Sequence, residues 1–237
     1  MRVLVTRPEP GASATSARLL EAGFQPLVLP LTETVPVTPV LPGSADFDAV
    51  AVTSASAVRH APARLLESVV SLPCFAVGEA TANAARAAGF GQVEAGAGGA
   101  EGLAGLIRES LPAGGRVLYL CGRLRTGALA HRLADAGLSV TVGEVYDTIA
   151  LSHSPAEIDV ALGGESVDAA LIYSAFGAAI FSRFAMRKNM AHLFDRSRIL
   201  CISDRAAGAL DPAFISRAEV AAARDDDAMF ALLSQVT

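Results

Sequence analysis

The chain contains no tryptophan, a single lysine (Lys188) and only three cysteines in 237 residues. Each shortage closes a route. Cys74, Cys121 and Cys201 are odd in number and far apart, so neither a disulfide framework nor a cysteine zinc site is expected. They read as reduced thiols of a cytoplasmic protein, small core residues in or beside buried strands. His60, His131, His153 and His192 stand at no ligand spacing from one another or from the cysteines, and no metal site is expected. With a net charge of -5 and scattered arginines, the chain lacks the basic stripe of a nucleic-acid binder. No apolar run approaches the ~18–20 residues that cross a bilayer, so no membrane partner is expected. Arg2 leads at once into a strand-like run with no small-residue cleavage site, so no export signal is expected.

Familiar catalytic machinery is missing too. Arg7-Pro8-Glu9-Pro10-Gly11 follows the first strand where a dinucleotide fingerprint would stand. There is no phosphate-loop lysine, no Gly-x-Ser-x-Gly elbow and no His-Glu-x-x-His pair. No cofactor is expected. Asp225-Asp226-Asp227 resembles a cation site in composition, but acidic residues ahead of Ala228 suit a helix N-terminus.

What is present is a duplication. Val3-Leu4-Val5-Thr6-Arg7 returns as Val117-Leu118-Tyr119-Leu120-Cys121-Gly122-Arg123, each followed by a helix ending Ala-Gly. Phe47-Asp48-Ala49-Val50 with Thr53-Ser54 returns as Val167-Asp168-Ala169-Ala170 with Tyr173-Ser174. Phe75-Ala76-Val77-Gly78 returns as Leu200-Cys201-Ile202-Ser203. Two similar α/β halves facing one another would form a cleft, the place to look for function.

Strands are expected at Val3–Thr6, Pro26–Leu31, Ala49–Thr53, Cys74–Val77 and Val93–Ala95. A second set is expected at Arg116–Cys121, Ser139–Glu144, Ala169–Ser174, Ile199–Ile202 and Glu219–Ala221. Runs as continuously apolar as Ala49-Val50-Ala51-Val52 are the pattern of parallel strands covered on both faces. Helices are expected between them, for example Ala14–Ala22, Ala80–Ala88, Thr126–Ala136 and Ala228–Gln235, with Gly23, Gly89 and Gly137 as C-terminal stops. The fold class is therefore α/β, with two doubly wound, flavodoxin-like parallel sheets. The proline-bearing stretches Pro36–Pro42 and Leu151–Pro155 read as linkers. The threonine-containing runs beside them could pair as an antiparallel two-strand connector acting as a hinge.

In open parallel sheets ligands bind beyond the carboxyl ends of the strands. That rule selects Arg7, Thr53-Ser54-Ala55-Ser56, Gly78 with Thr81, Gly122-Arg123, Ser174 with Gly177, and Ser203-Asp204-Arg205. Hydroxyls and glycines opening helices cap those helices, and they also offer free N–H groups to anions without needing lysine. Their number points to a polyanionic ligand.

At these residues the chain resembles the uroporphyrinogen-III synthase family. The resemblance rests on Val5-Thr6-Arg7-Pro8, Phe47-Asp48, Thr53-Ser54-x-x-Ala57-Val58, Ala76-Val77-Gly78-x-x-Thr81-Ala82 with Gly89-Phe90, Glu101-Gly102-Leu103, Val145-Tyr146-x-Thr148, and Ser174 with Gly177-Ala178. It spans nearly the whole chain. Ser56 stands at the usual Asn of one motif. Ser203–Ala207 replaces a Gly-x-x-Thr-Ala, and Asp225–Asp227 stands where Pro-Thr is usual.

The resemblance implies a discontinuous domain of residues 1–35 with 149–237 and an inserted domain of 36–148. It implies a cofactor-free, cyclising hydro-lyase acting on hydroxymethylbilane, a linear tetrapyrrole with eight carboxylates. Loss of water from the hydroxymethyl group gives an azafulvenium electrophile. The far pyrrole attacks through its substituted carbon, a spiro intermediate forms, and ring D ends inverted in uroporphyrinogen III. The enzyme's task is mainly to fold the chain and exclude the unassisted closure. By resemblance, Tyr146 is the candidate proton donor, acting chiefly by hydrogen bonding since a phenol is a weak acid, and Thr81 assists. Arg7, Ser54, Ser56, Gly78, Gly122, Arg123, Ser174 and Gly177 are expected to bind substrate. The chain is expected to be a cytoplasmic monomer in heme biosynthesis, with the upstream hydroxymethylbilane synthase as a partner. The alternative is a tetrapyrrole-binding or regulatory homologue without turnover.

Overall fold

The computed structural model describes residues 1–42, 46–97 and 99–235. Up to the first proline stretch the chain forms β1 (Arg2–Val5), α1 (Gly11–Glu21), β2 (Gln25–Val28) and β3 (Thr32–Pro36). There follow β4 (Ala49–Val52), α2 (Ala55–His60), α3 (Ala63–Val69), β5 (Cys74–Ala76), α4 (Glu79–Ala87), β6 (Val93–Ala95) and α5 (Gly99–Ser110). Next come β7 (Arg116–Gly122), α6 (Ala128–Asp135), β8 (Ser139–Ala150), α7 (Pro155–Leu162), β9 (Ala169–Ile172) and α8 (Ala175–Ala185). The chain ends with β10 (Arg198–Cys201), α9 (Asp204–Ala207), α10 (Pro212–Ile215), β11 (Ala218–Val220) and α11 (Asp226–Leu233). Residues Met1–Glu33 and Ile149–Thr237 form one compact unit, and Thr34–Thr148 a second.

The first unit carries a five-stranded sheet in the order β11-β10-β9-β1-β2, with each neighbouring pair parallel. Read from β2, this is the 2-1-3-4-5 flavodoxin-like order. The second sheet runs β3-β8-β7-β4-β5-β6. Here β7 and β8 fill the places of β1 and β2, while β4, β5 and β6 fill those of β9, β10 and β11. The duplicated segments thus occupy matching positions, though each half of the repeat is divided between the units.

Burial explains the continuous apolar runs. All four residues of β4 and of β9 are buried. In the first unit Leu4, Ala170 and Ile199 face a core with Phe181 and Phe194, whereas Val3, Val5, Ala169 and Leu171 face Leu19, Met229 and Leu233. The second unit does the same. Val50, Val52, Leu118 and Leu120 pack with Ala57 and Val58, and Ala49, Ala51, Val117 and Tyr119 pack with Leu103 and Leu133. Strands with helices on both faces need apolar side chains at every position. Gly23, Gly89 and Gly137 have positive φ and stop α1, α4 and α6, a conformation that costs glycine nothing.

One expected strand is too short. The strand foreseen at Ser139–Glu144 and the threonine-containing run after it, expected as one strand of the antiparallel connector, form one continuous strand that reaches Ala150. It pairs with β3, and the Val37 N–H to Val145 O and Leu151 N–H to Leu31 O hydrogen bonds, both 2.9 Å, flank that pairing. As one residue number rises the other falls, the mark of an antiparallel pair. The chain passes between the units within β3 and β8 rather than in the two proline-bearing stretches.

Candidate functional site

In the second unit the strand ends carry a connected polar group. Thr53, just past β4, shares a 3.0 Å hydrogen bond with the Tyr119 hydroxyl. Ser54 is the N-cap of α2 and accepts from the Ser56 N–H at 3.1 Å. Gly78, at φ +117, opens α4, and its carbonyl accepts from the Thr81 and Ala82 N–H groups at 3.2 and 3.0 Å. Thr81 is 8% exposed in the first turn. A serine that accepts as a cap keeps its own O–H to donate, so capping and holding a carboxylate are compatible.

At the end of β7 the register with β8 shifts, so that Cys121 faces Glu144 but Gly122 faces Tyr146. This bulge leaves Val145 extra and turns the Tyr146 ring over Gly122. A Cβ on Gly122 would lie 2.5 Å from the Tyr146 Cζ and 2.9 Å from its hydroxyl oxygen. On α2, the His60 ring lies 6.1 Å from the Tyr146 ring, centroid to centroid. Burial, and then the neighbouring Arg59, push the His60 imidazole below its ordinary pKa, favouring its neutral form.

Charges flank Tyr146. Arg123 Nη1 donates to Asp147 Oδ2 at 3.1 Å and its Nε to Glu144 Oε2 at 3.5 Å. Arg125 Nη1 donates to Glu144 Oε1 at 2.6 Å and to the Gly122 carbonyl at 3.1 Å. The Arg125 guanidinium, aided by Arg123, holds the Glu144 carboxyl below the usual carboxylate range.

In the first unit Arg7 leaves the end of β1 and folds back over α1. Its Nη1 donates to Asp226 Oδ1 at 3.1 Å and to Thr15 Oγ1 at 3.3 Å, and its guanidinium lies 3.9 Å from the Tyr173 ring centroid. A Cβ on Gly11 would come within 2.5 Å of the Arg7 Nε, so the guanidinium is held between that glycine and the tyrosine. The Tyr173 hydroxyl is buried without a hydrogen-bond partner among the described residues, and burial pushes its pKa up to about 12. Ser174 caps α8, accepting from the Gly177 N–H at 2.9 Å, and Ser203 caps α9. Arg205 is exposed and forms no ion pair among the described residues. Asp225 caps α11, while Asp226 and Asp227 pair with Arg7 and Arg18, which accounts for the acidic run.

The structure therefore brings Gly122, Arg123 and Tyr146 into contact, and sets Ser54, Ser56, Gly78 and Thr81 at the ends of neighbouring strands β4 and β5. Arg7, Ser174 and Gly177 share the corresponding edge of the other sheet. No sequence motif marks Tyr119, Arg125, Glu144 or Tyr173 for the site, and Asp226 and His60 stand out in the sequence only as a helix-opening carboxylate and an isolated histidine. Glu144 and Asp147 flank Tyr146 in the sequence, and Arg125 lies two positions from Arg123, which was a local signal. Tyr173 and Asp226 meet Arg7 only through the tertiary fold. Burial pushes the Cys121 thiol up to about 11 and Cys74 and Cys201 up to about 12, where nucleophilic thiolate is scarce. Among the described residues no cluster of His, Cys, Asp and Glu could hold a metal ion, and no helix is long and apolar enough to cross a membrane.

A family model described as uroporphyrinogen-III synthase HemD matches residues 13–231. The chain is similar in structure to uroporphyrinogen-III synthetase from Helicobacter pylori 26695, at 19% identity and a TM-score of 0.66, with 100% of each chain covered. It is also similar to a mutant uroporphyrinogen III synthase from the extremely thermophilic bacterium Thermus thermophilus, at 20% identity and a TM-score of 0.55, over 99% of this chain and 98% of that one. At such identities the solved structures speak for the fold. A comparison with curated proteins gives no match.

Proposed function

This chain belongs to the uroporphyrinogen-III synthase family, and from that membership we propose that it cyclises hydroxymethylbilane to uroporphyrinogen III with loss of water and inversion of ring D. The family match over residues 13–231 carries the reading, and the roles of the site residues are the ones that the resemblance implies. The reaction is that of a cofactor-free cyclising hydro-lyase in the cytoplasm, served by hydroxymethylbilane synthase upstream and performed by a monomer.

The Tyr146 hydroxyl donates a hydrogen bond to the departing hydroxyl group. As the C–O bond breaks, the pyrrole nitrogen lone pair forms the azafulvenium, the Tyr146 proton passes to the departing oxygen, and the hydroxyl leaves as water with the phenolate left behind. The far pyrrole attacks through its substituted carbon to give the spiro intermediate. The old bond from that carbon to its bridging methylene then breaks, the methylene re-joins at the free α-carbon of the same ring, and the proton lost there returns to the phenolate, leaving ring D inverted. Because the pyrrole supplies the electron push, positioning contributes more than acid strength. Thr81, with its hydroxyl in the first turn of α4, assists the leaving water. Ser54, Ser56 and Ser174, the N–H groups near Gly78 and Gly177, and the Arg7 and Arg123 guanidiniums receive substrate carboxylates. Both arginines already have acidic partners, so they act as oriented donors rather than free charges.

The test couples freshly made hydroxymethylbilane to the protein and separates the oxidised porphyrin isomers. Dominant isomer III supports the cyclase. Isomer I alone, as in the protein-free control, with substrate still bound, would make the protein a tetrapyrrole binder without turnover.

A further inference from the structure

Three observations meet at Gly122. The first is the bulge that sets Tyr146, rather than Val145, opposite it. The second is space: a Cβ there would stand 2.5, 2.6 and 2.9 Å from the Tyr146 Cζ, Cε2 and hydroxyl oxygen. The third is the backbone. Gly122 lies in a buried strand and is not among the glycines with positive φ, so its conformation suits any residue. Even at a strand end, glycine gives up side-chain packing. Its φ does not require glycine here, and the three atoms nearest a Cβ all belong to the phenol.

We propose that Gly122 is a positioning residue for Tyr146, an open floor at the end of β7 on which the phenol ring is seated with His60 as its neighbour on α2. The assignment deepens the cyclase reading and rests on it. Two further contacts hold the frame. The Arg123 N–H donates to the Tyr146 carbonyl at 2.9 Å, and Arg125 ties the Gly122 carbonyl to Glu144. The frame fixes the backbone at both ends of the pair, and the missing side chain at Gly122 lets the ring lie against it.

The atoms a new Cβ would meet belong to the far end of a side chain. A methyl group at position 122 therefore displaces the phenol and spares the sheet. That separates positioning from a structural role. Misplacement of a reacting group by ~1 Å costs on the order of 10²-fold in rate. The Gly122→Ala protein should keep its thermal midpoint. Its kcat should fall by about that factor, and the isomer III share should drop.

The decisive experiment is a cycle of Gly122→Ala, Tyr146→Ala and the double variant, read by kcat and isomer ratio. Gly122→Ala is expected to have no further effect once the ring is gone. An equal loss in the Tyr146→Ala background, or no loss in the wild-type background, overturns the assignment. A second readout does not depend on turnover. With no tryptophan and three tyrosines in the chain, the near-ultraviolet circular dichroism difference between a protein and its Tyr146→Phe form isolates this ring. That difference should collapse when Gly122→Ala is present, and an unchanged difference overturns the seat. If wild type makes no isomer III while the dichroism behaves as expected, it is the cyclase reading that fails.

Discussion

Arg7 Nη1 lies 3.1 Å from Asp226 Oδ1 while its guanidinium covers the Tyr173 ring at 3.9 Å. A planar fork held by a carboxylate at one nitrogen and an aromatic face below leaves its other N–H groups fixed in direction. Lysine keeps the charge but loses both the fork and the stacking. Arg7→Lys is expected to raise KM for hydroxymethylbilane about tenfold, the loss of one oriented charge-assisted hydrogen bond, with kcat nearly unchanged. Steady-state kinetics decides. An unchanged KM would leave Arg7 as a structural partner of Asp226 and nothing more.

The Tyr119 hydroxyl predicts stability rather than rate. Tyr119 is 4% exposed, and its hydroxyl is bonded to Thr53 at the foot of the Ser54 loop. Burial raises its pKa, so the phenol stays neutral and the bond intact through the physiological range. Tyr119→Phe keeps the ring in the core and deprives Thr53 of its partner, at a cost of about 1 kcal/mol. Urea unfolding should show a lower midpoint at unchanged slope. A wild-type midpoint would mean that water satisfies Thr53 as well as the phenol does.

Much of this architecture was written locally. A strand covered on both faces must be apolar at each position, so β4 and β9 announced themselves. Gly23, Gly89 and Gly137 marked helix ends because only glycine takes that turn cheaply. Ser54 and Ser174 were recognisable as helix-opening residues, and each is an N-cap. The far half of β8 was less legible as a continuation, because Gly143-Glu144 interrupts the apolar run and the bulge breaks the alternation that signals a strand. Pairs such as Arg7 with Asp226, or Thr53 with Tyr119, leave no periodic trace at all. Their partners are distant in sequence and meet only because the sheet order places their strand ends together. Gly122 was visible as a glycine at a strand end; the ring that needs it was not.

Acid sensitivity should be traceable to single carboxylates. Arg198 Nε and Nη2 each donate to Glu219 at 2.7 Å, and this pairing lowers the Glu219 pKa from its ordinary 4.5. The unfolded chain therefore takes up the proton at a higher pH than the folded one. The stabilisation is complete above pH 4.5 and is lost as pH falls through the lower folded value. Both side chains are partly exposed, which limits the contribution to about 1 kcal/mol or less. Glu144 and Asp48 are shifted in the same direction, so total stability falls for several reasons at once. The comparison with Glu219→Gln isolates one of them. The variant should be less stable than wild type at pH 7, and the gap should narrow as pH falls below 4.5. A constant gap would assign the loss to packing rather than charge.

Tyr146→Phe separates the ring from its hydroxyl. The ring rests on Gly122 and beside His60, and phenylalanine fills the same seat, so the unfolding midpoint should not move. In the proposed reading other groups receive the substrate carboxylates, which predicts an unchanged KM. Only the hydrogen bond to the leaving hydroxyl is lost, and kcat should fall on the order of 10²-fold. Slower departure of water on the protein gives released hydroxymethylbilane more time to close unassisted, so isomer I should grow as enzyme concentration is lowered. A rate loss with the isomer III share intact at every enzyme concentration would place the commitment to inversion before Tyr146 acts. An unchanged kcat would remove the hydroxyl from the chemistry and leave the donor to be sought at Thr81.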